Sequence, residues 1–284
     1  MVCSWTVSRQ YSEFVRIQGR GDGGILEHMY HPTNKGTKVV GEAVYIKYFD
    51  ADDHTVTDPS CSAFLAGQSC NEQVALTKYL KVDKQCFDDC KWEEIANDAD
   101  MQALAQAMIK AQLNTLLPLI YADMIANGTA IHDLSATPTG AQVLAGITQG
   151  MMAINANGGD PGAIVLDLTH SGAVVAAMGA LFQPANAVKV NFKYGPGMPV
   201  GDYLGYAVFV TPDDLATTDA TPIKVSALVW AENGFGYAYN GDNMGCNITT
   251  HPQGPNGTND VLARMCVGYK TILATLVYYV TDQT

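Results

Sequence analysis

One stretch decides the fold: residues 98–127, which read DADMQALAQAMIKAQLNTLLPLIYADMIAN. Its apolar residues recur every three or four positions, which is the spacing of one helical face, and Gly128 can end the helix. At 1.5 Å per residue such a helix is roughly 40 Å long, whereas helices in globular domains average about 11–12 residues. Pro118 is expected to kink it, and two shorter helices broken at this proline are the alternative.

The chain before this helix predicts an arm and a long two-stranded excursion. Residues 1–35 have little periodicity and a glycine-rich run, so we expect an extended arm that needs a neighbour to hold it. Residues 37–49 are rich in β-branched and aromatic side chains, and residues 74–82 alternate in polarity, so both predict strands. Because an isolated hairpin is marginally stable in water, we expect the excursion over residues 36–85 to pack on another subunit.

The chain after the helix predicts a mixed α/β region. The same periodicity rules give a set of helices, strands and loops. They are a helix at 140–154, a strand at 163–168, a closely packed helix at 170–178, strands at 206–211, 223–231 and 234–239, a loop at 244–260, a short helix at 261–265 and a β-rich run at 269–280. The fold class expected from this order is α+β.

The composition favours self-association over nucleic-acid binding. Hydrophobic residues make up 48% of the chain and charged residues 15%, whereas soluble domains carry roughly 25% charged residues. A surface with so few charges is typical of a protein covered by other copies of itself, and a compact monomer with few charges is the alternative. The net charge of −12 and the absence of any basic run argue against sequence-specific DNA or RNA binding.

The sequence also bears on the compartment. We expect neither a secretory leader nor a membrane span, because no basic segment precedes an apolar run and no apolar run approaches about 18 residues. The seven cysteines have irregular spacings. Reduced thiols and folding in a reducing cytoplasm are therefore expected.

One glycine pattern and one histidine-aspartate pattern suggest binding sites, but the neighbouring residues do not provide the structure that either site needs. Residues Gly19, Gly21 and Gly24 match G-x-G-x-x-G, but Pro32 prevents the helix that a nucleotide site needs. A second set carries metal-ligand side chains without a matched second half, in a region where a solvated turn belongs. Its members are His28, His31, Asp50, Asp52, Asp53 and His54.

Two further motifs suggest thiol or nucleophilic chemistry. Cys86 and Cys90 are separated by three residues, which suits neither a zinc knuckle nor a redox pair, although a helix would place both on one face. Buried thiols are the simpler interpretation, and a late disulfide between subunits is the alternative. Thr169-His170-Ser171 lacks a nucleophile elbow, so local capping is the expected role. We therefore predict no catalytic, cofactor-binding or metal-binding residue.

Several passages, taken in order, resemble one family. They are residues 80–88 before the long helix, 95–101 at its start, 160–166 after the second helix, 201–210 with a loop, a glycine and a core strand, and the small apolar strand 225–232. This order is similar to that of the major capsid proteins of tailed bacteriophages with the Hong Kong 97 type fold.

The resemblance implies an architecture and a function. It implies an N-terminal arm (1–35), an extended β-hairpin loop (36–85), a peripheral domain with the spine helix (86–129), an axial domain (130–225) and strands that return through both domains (226–284). It also implies rings of five and six subunits in an icosahedral shell around double-stranded DNA.

The resemblance further implies partners and a location. The partners are copies of the chain itself, a separate scaffolding protein, a portal and decoration proteins, and the location is the virion capsid after assembly in the host cytoplasm. The alternatives are an encapsulin-like nanocompartment shell, a thiol- or metal-dependent enzyme, and a phage decoration or tail component.

Overall fold

The computed structural model describes residues 25–29, 43–48, 70–75, 78–81, 85–87, 98–134, 138–184, 199–211, 215–217, 223–240, 246–251 and 259–282. The α-helices of these ranges are α1 (Asp98–Asn127), α2 (Gly140–Ala156) and α3 (Leu168–Met178). The strands are β1 (Ala43–Tyr48), β2 (Cys70–Ala75), β3 (Lys78–Lys81), β4 (Gln85–Phe87), β5 (Thr129–Leu134), β6 (Pro161–Asp167), β7 (Phe182–Pro184), β8 (Gly201–Tyr203), β9 (Tyr206–Thr211), β10 (Leu215–Ala216), β11 (Lys224–Ala231), β12 (Phe235–Asn240), β13 (Cys246–His251), β14 (Asn259–Thr271) and β15 (Val277–Asp282). Short 3-10 helices lie at Ile25–Met29, Gly179–Leu181, Glu232–Gly234 and Ala274–Leu276.

The long helix predicted from the apolar spacing is confirmed as one element. Helix α1 runs from Asp98 to Asn127 and contains Pro118, so the alternative of two shorter helices is wrong. Leu116, Ile120 and Met124 are fully buried at helical spacing on its inner face. Their burial against the sheet outweighs the hydrogen bond that proline removes.

An eight-stranded mixed sheet forms the centre of the described chain. Its order is β5-β15-β11-β6-β9-β8-β7, and β10 pairs with β11. The β6–β9 and β15–β5 pairs are parallel, and the remaining pairs are antiparallel. Helix α1 and the 3-10 helix Ile25–Met29 share a core with one face of this sheet, and α2 and α3 share a core with the other.

The central strands show why two faces are covered. In β6, Ala163 and Val165 belong to the core beneath α1, and Ile164 and Leu166 belong to the core beneath α2 and α3. Successive side chains of a strand point to opposite faces, so a strand that is apolar throughout requires a layer on each side.

A five-stranded sheet is built around β14. The C-terminal half of β14 pairs with β12, its N-terminal half pairs with β13, and β3 and β4 pair with it as well. A separate hairpin of β1 and β2 places Ile46 and Val74 in a small core with Ala238 of β12. The chain therefore passes from β11 in the eight-stranded sheet to β12 and β14 in the five-stranded sheet, and returns in β15.

Three sequence expectations are corrected by pairing between distant segments, and a fourth is corrected by burial. The strand expected at 74–82 is two strands: β2 pairs with β1, whereas β3 pairs with β14. The loop expected at 244–260 contains β13, and the short helix expected at 261–265 is part of β14. Both form strands because they pair with each other, which local sequence does not report.

The fourth correction concerns the arm. Ile25 and Met29 are buried in the core of their own subunit, so residues 25–29 need no neighbour to hold them. The rest of the 1–35 segment and the tip of the 36–85 excursion lie outside the described residues.

Candidate functional site

Of the residues that the sequence offered as metal ligands, the structure describes only His28. His28 lies in the 3-10 helix Ile25–Met29, with Nδ1 3.6 Å from Glu232 Oε1 and its ring edge-on to Phe209. His31 and the 50–54 acidic cluster lie outside the described residues, as do the three glycines at 19, 21 and 24. In the described ranges, no three His, Cys, Asp or Glu side chains are grouped to hold a metal ion.

The thiol motif does not form on a helix. Cys86 lies in strand β4, so the arrangement that would place it on one helical face with Cys90 is wrong for Cys86. Cys90 lies outside the described residues.

The Thr169-His170-Ser171 motif lies in the first turn of α3, and the side chain that caps this helix is that of Asp167. Asp167 is fully buried, and its Oδ2 accepts the backbone N–H of Thr169 at 3.1 Å. The Ser171 hydroxyl donates to the carbonyl of Leu168 at 2.9 Å, which is a bond within the helix, so the expected capping by this motif is wrong.

Asp167 also joins this turn to β11. His170 Nδ1 lies 3.4 Å and Lys224 Nζ lies 3.6 Å from the same Asp167 oxygen. Lys224 Nζ also donates to Thr169 Oγ1 at 3.2 Å. The other oxygen of Asp167 is buried and has no hydrogen-bond partner among the described residues. The arrangement fixes the start of α3 against the start of β11, which is a structural role.

A second polar cluster ties α1 to the five-stranded sheet. Asp123 Oδ2 accepts the backbone N–H and the hydroxyl of Thr271 at 3.0 and 3.1 Å, and Asn127 Nδ2 donates to Asp123 Oδ1 at 3.1 Å. Burial raises the pKa of Asp123 above its ordinary value of 3.8, although the Thr271 hydrogen bonds oppose the rise. Burial, followed by the negative charge of Asp123, raises the pKa of nearby Tyr269.

Helices α2 and α3 contain no Asp, Glu, Lys or Arg. Between Gly140 and Pro184 the acidic and basic residues are Asp160 and the buried Asp167 alone. Helix α2 has an apolar outward side, which we call the α2 outer face. It consists of Ala141, Leu144, Ala145, Thr148, Gln149 and Met152. Met152 is 69% exposed, which is the highest value among the large apolar side chains of the described residues.

A strained turn presents a second exposed apolar side chain. Tyr203 pairs with Tyr206, so β8 and β9 are joined by the two-residue turn Leu204-Gly205. Both residues have positive φ, 51° at Leu204 and 88° at Gly205. Turns with two positive φ values favour Asn-Gly, and a leucine in this region costs about 1–2 kcal/mol. Leu204 is nevertheless 54% exposed, so burial within its own subunit does not offset this strain.

Solved structures share this arrangement of layers and sheets. The chain matches a protein of Mycobacterium phage Che8 with a TM-score of 0.59 at 14% identity, over 90% of both chains. It matches the capsid of the cyanophage P-SCSP1u with a TM-score of 0.57 at 13% identity, over 92% of this chain and 88% of that chain. The chain has the phage capsid fold.

The phage capsid fold is reached without detectable sequence similarity. A virus-like particle from Pyrococcus furiosus also matches, with a TM-score of 0.59 at 10% identity, over 99% of this chain and 100% of that chain. No protein-family model matches the sequence, and no curated protein matches it. Structural likeness at identities this low establishes the fold alone, so the function has to be argued from the residues of this chain.

The exposed apolar surfaces were missed by the search for chemical motifs. A signal for them exists in the sequence, because a run of 45 residues, 140–184, with two acidic and no basic residues is conspicuous in a chain of net charge −12. The turn at Leu204 carries a weaker signal. Its Tyr-Leu-Gly-Tyr sequence lacks the Asn or Asp that a two-residue turn favours.

In the described part of the chain, no helix combines the length and the hydropathy needed to cross a lipid bilayer.

Proposed function

We propose that this chain is the major capsid protein of a tailed bacteriophage with the Hong Kong 97 type fold. Copies of it assemble into an icosahedral shell that encloses the double-stranded DNA genome. The observation that carries the proposal is the likeness to the cyanophage capsid, which extends over 92% of this chain and 88% of that chain. A likeness over nearly the whole of both chains supports a capsid arrangement of this chain rather than one shared module.

The surface of the subunit supports a role in assembly. A shell subunit has to meet several neighbours through weak, repeated contacts. The uncharged layer of α2 and α3 offers such a contact surface, although the chain carries 28 acidic residues against 16 basic ones. The charged remainder keeps the free subunit soluble, and its negative sign suits a container that holds DNA without reading its sequence.

The proposed division of the chain follows the family. Residues 1–35 form the arm, 36–85 the extended loop, 86–129 the peripheral domain with the spine helix, 130–225 the axial domain, and 226–284 the returning strands. The passage of the chain from β11 to β14 and back to β15 supports the last of these, because it links the two larger sheets twice.

The proposed partners are other copies of the chain in rings of five and six. A scaffolding protein, a portal and decoration proteins are further partners, and none of them is needed to explain the fold of the subunit. The proposed location is the virion capsid, with assembly in the host cytoplasm.

Negative-stain electron microscopy of the expressed chain tests the proposal. The chain is imaged alone and with the product of any adjacent scaffolding gene. Closed particles of uniform diameter are expected in at least one of the two samples. A monomer at every concentration in both samples, by size-exclusion chromatography and by imaging, overturns the proposal.

An encapsulin-like nanocompartment shell is the second candidate. The match to the virus-like particle from Pyrococcus furiosus favours it, since that match covers 99% of this chain. The contents of particles purified from the native source discriminate the two. Nuclease-protected double-stranded DNA supports the phage capsid, and a co-purifying enzyme in the absence of DNA supports the nanocompartment.

The capsid-like neighbours indicate a structural protein rather than an enzyme. A thiol- or metal-dependent enzyme predicts a compact monomer that carries a metal ion or a reactive cysteine. Size-exclusion chromatography combined with metal analysis distinguishes this candidate from both shells.

A further inference from the structure

Two exposed apolar features of the subunit lie towards opposite edges of the eight-stranded sheet. Helix α2 contacts β5, β11 and β15, which form one side of the eight-stranded sheet. The Leu204-Gly205 turn joins β8 and β9, which lie on the other side. Leu204 and Met152 are 54% and 69% exposed, so neither feature is covered by the other within one copy.

Both features lie at the same end of the sheet. A Cβ atom placed on Gly205 would be 4.0 Å from the Cβ of Pro161, so the turn lies beside the start of β6. Helix α2 leads through residues 157–160 to the same start of β6. A neighbour placed beside the subunit, in the plane of the sheet, can therefore bring its turn to the level of the C-terminal half of α2.

The distribution of acidic residues favours a second copy of the chain as the partner of the α2 outer face. Two copies that each carry a net charge of −12 repel one another, and they approach most easily where a carboxylate of one copy does not face a carboxylate of the other. The exposed Asp202 lies two residues before Leu204, so the turn brings one negative charge with it. Helix α2 contains no Asp or Glu, so no like charge on the helix itself opposes Asp202, and the exposed Asp160 lies four residues beyond the end of the helix.

We infer that Leu204 of one copy packs on the α2 outer face of the next copy, around Met152. The inference rests on the proposed function and names the contact through which copies join. It is a head-to-tail contact, because it joins different surfaces of the two copies. Contacts of this kind generate closed rings when the rotation between copies closes.

The strain at Leu204 gains a reason under this inference. Asparagine or glycine would form the turn at lower energy, and neither provides an apolar side chain to a neighbour. The leucine is therefore better suited to the assembled state than to the isolated subunit.

Crosslinking between copies tests the contact. Leu204→Cys and Met152→Cys are made in separate preparations, mixed, assembled, oxidised and run on a non-reducing gel, and each single variant alone gives the background from the native cysteines. The mixture is expected to give at least tenfold more crosslinked dimer than either variant alone. Particles that assemble normally while the mixture gives no more dimer than the background overturn the contact and leave the proposed function intact. If the unmodified chain forms no particles, both fall.

A second variant separates assembly from folding. Leu204→Asn relieves the backbone strain, so the unfolding temperature of the subunit is expected to stay equal or rise. The yield of particles is expected to fall at least tenfold, because the apolar contact is lost. Leu181→Asn removes an apolar side chain of similar exposure (57%) from the 3-10 helix Gly179–Leu181, outside the proposed contact, and is expected to assemble normally. Normal assembly of Leu204→Asn, or equal loss in both variants, overturns the inference.

Discussion

Trp230→Phe tests how the subunit holds its own N-terminal segment. Trp230 is fully buried in β11, and its indole N–H donates to the backbone carbonyl of His28 at 2.9 Å. This bond reaches across 202 positions of sequence and fixes the 3-10 helix Ile25–Met29 beneath the sheet. Phenylalanine keeps an aromatic ring at the site and removes the donor.

The expected loss of stability has two parts. Leaving a partly buried carbonyl without this donor costs about 1–3 kcal/mol. The smaller ring leaves a cavity worth about 1 kcal/mol. The total is about 2–4 kcal/mol, and the first part should act mainly on the local release of Ile25–Met29.

Limited proteolysis of the unassembled subunit with chymotrypsin measures that release. Leu26 and Met29 are buried and become cleavable when the 3-10 helix leaves the core. Since about 1.4 kcal/mol is a tenfold change, cleavage at these residues should be roughly 10- to 100-fold faster in Trp230→Phe. Urea unfolding followed by circular dichroism reports the global change in parallel.

Phe235→Leu is the matched control. Phe235 is fully buried in the same core, so its truncation leaves a cavity without removing the hydrogen bond to His28. If the two variants accelerate cleavage at Leu26 and Met29 equally, the indole hydrogen bond is not what holds this segment, and the reasoning is wrong.

Three further predictions concern the helix–sheet contact at Asp123 and the glycines Gly162 and Gly172. Burial raises the pKa of Asp123, so the native state binds more protons than the unfolded state between pH 3.8 and the raised pKa. The stabilisation that comes from protonated Asp123 is therefore full below pH 3.8 and is lost as the pH rises through the raised pKa. Asp123→Asn should therefore flatten the pH dependence of the urea midpoint in the acid range, and an unchanged slope would contradict this. Gly162→Ala places a Cβ 2.4 Å from the backbone oxygen of Trp230 and should destabilise the subunit by about 3 kcal/mol. Gly172→Ala, which meets nothing within 4 Å on exposed α3, should instead be neutral or stabilise it by up to about 1 kcal/mol in thermal unfolding.

Elements with a strong local pattern could be predicted from the sequence. Helix α1 has the predicted bounds because its apolar residues keep helical spacing over eight turns. Strand β9 also has the predicted bounds, since a short β-branched and aromatic run is bounded by turn residues. Helix α2 begins where predicted and ends two residues later, at Ala156.

Elements that depend on a distant partner could not be predicted. The sequence of β13 is polar and follows glycine and asparagine, so its local pattern favours a loop. It is a strand because β14 supplies its hydrogen bonds. The same pairing overrides the short helix expected at 261–265.

The proposed contact surfaces also have one property that the sequence reveals and one that only the tertiary structure reveals. The sequence alone determined that the 140–184 region is nearly free of charge, because charge is a property of each residue. It could not show that Met152 and Leu204 are both exposed at one end of the sheet. That placement depends on strand order, and strand order is set by pairings between residues far apart in the chain.

The N-terminal segment shows the division most clearly. The sequence alone determined a chain of α+β class with a long helix and few charges, because periodicity and composition are local or summed properties. Only the tertiary structure decided that Ile25 and Met29 are core residues of their own subunit. The physical reason is that five residues with three apolar side chains are too few to carry a periodic signal, and their burial depends on the space that α1, β11 and β12 leave between them.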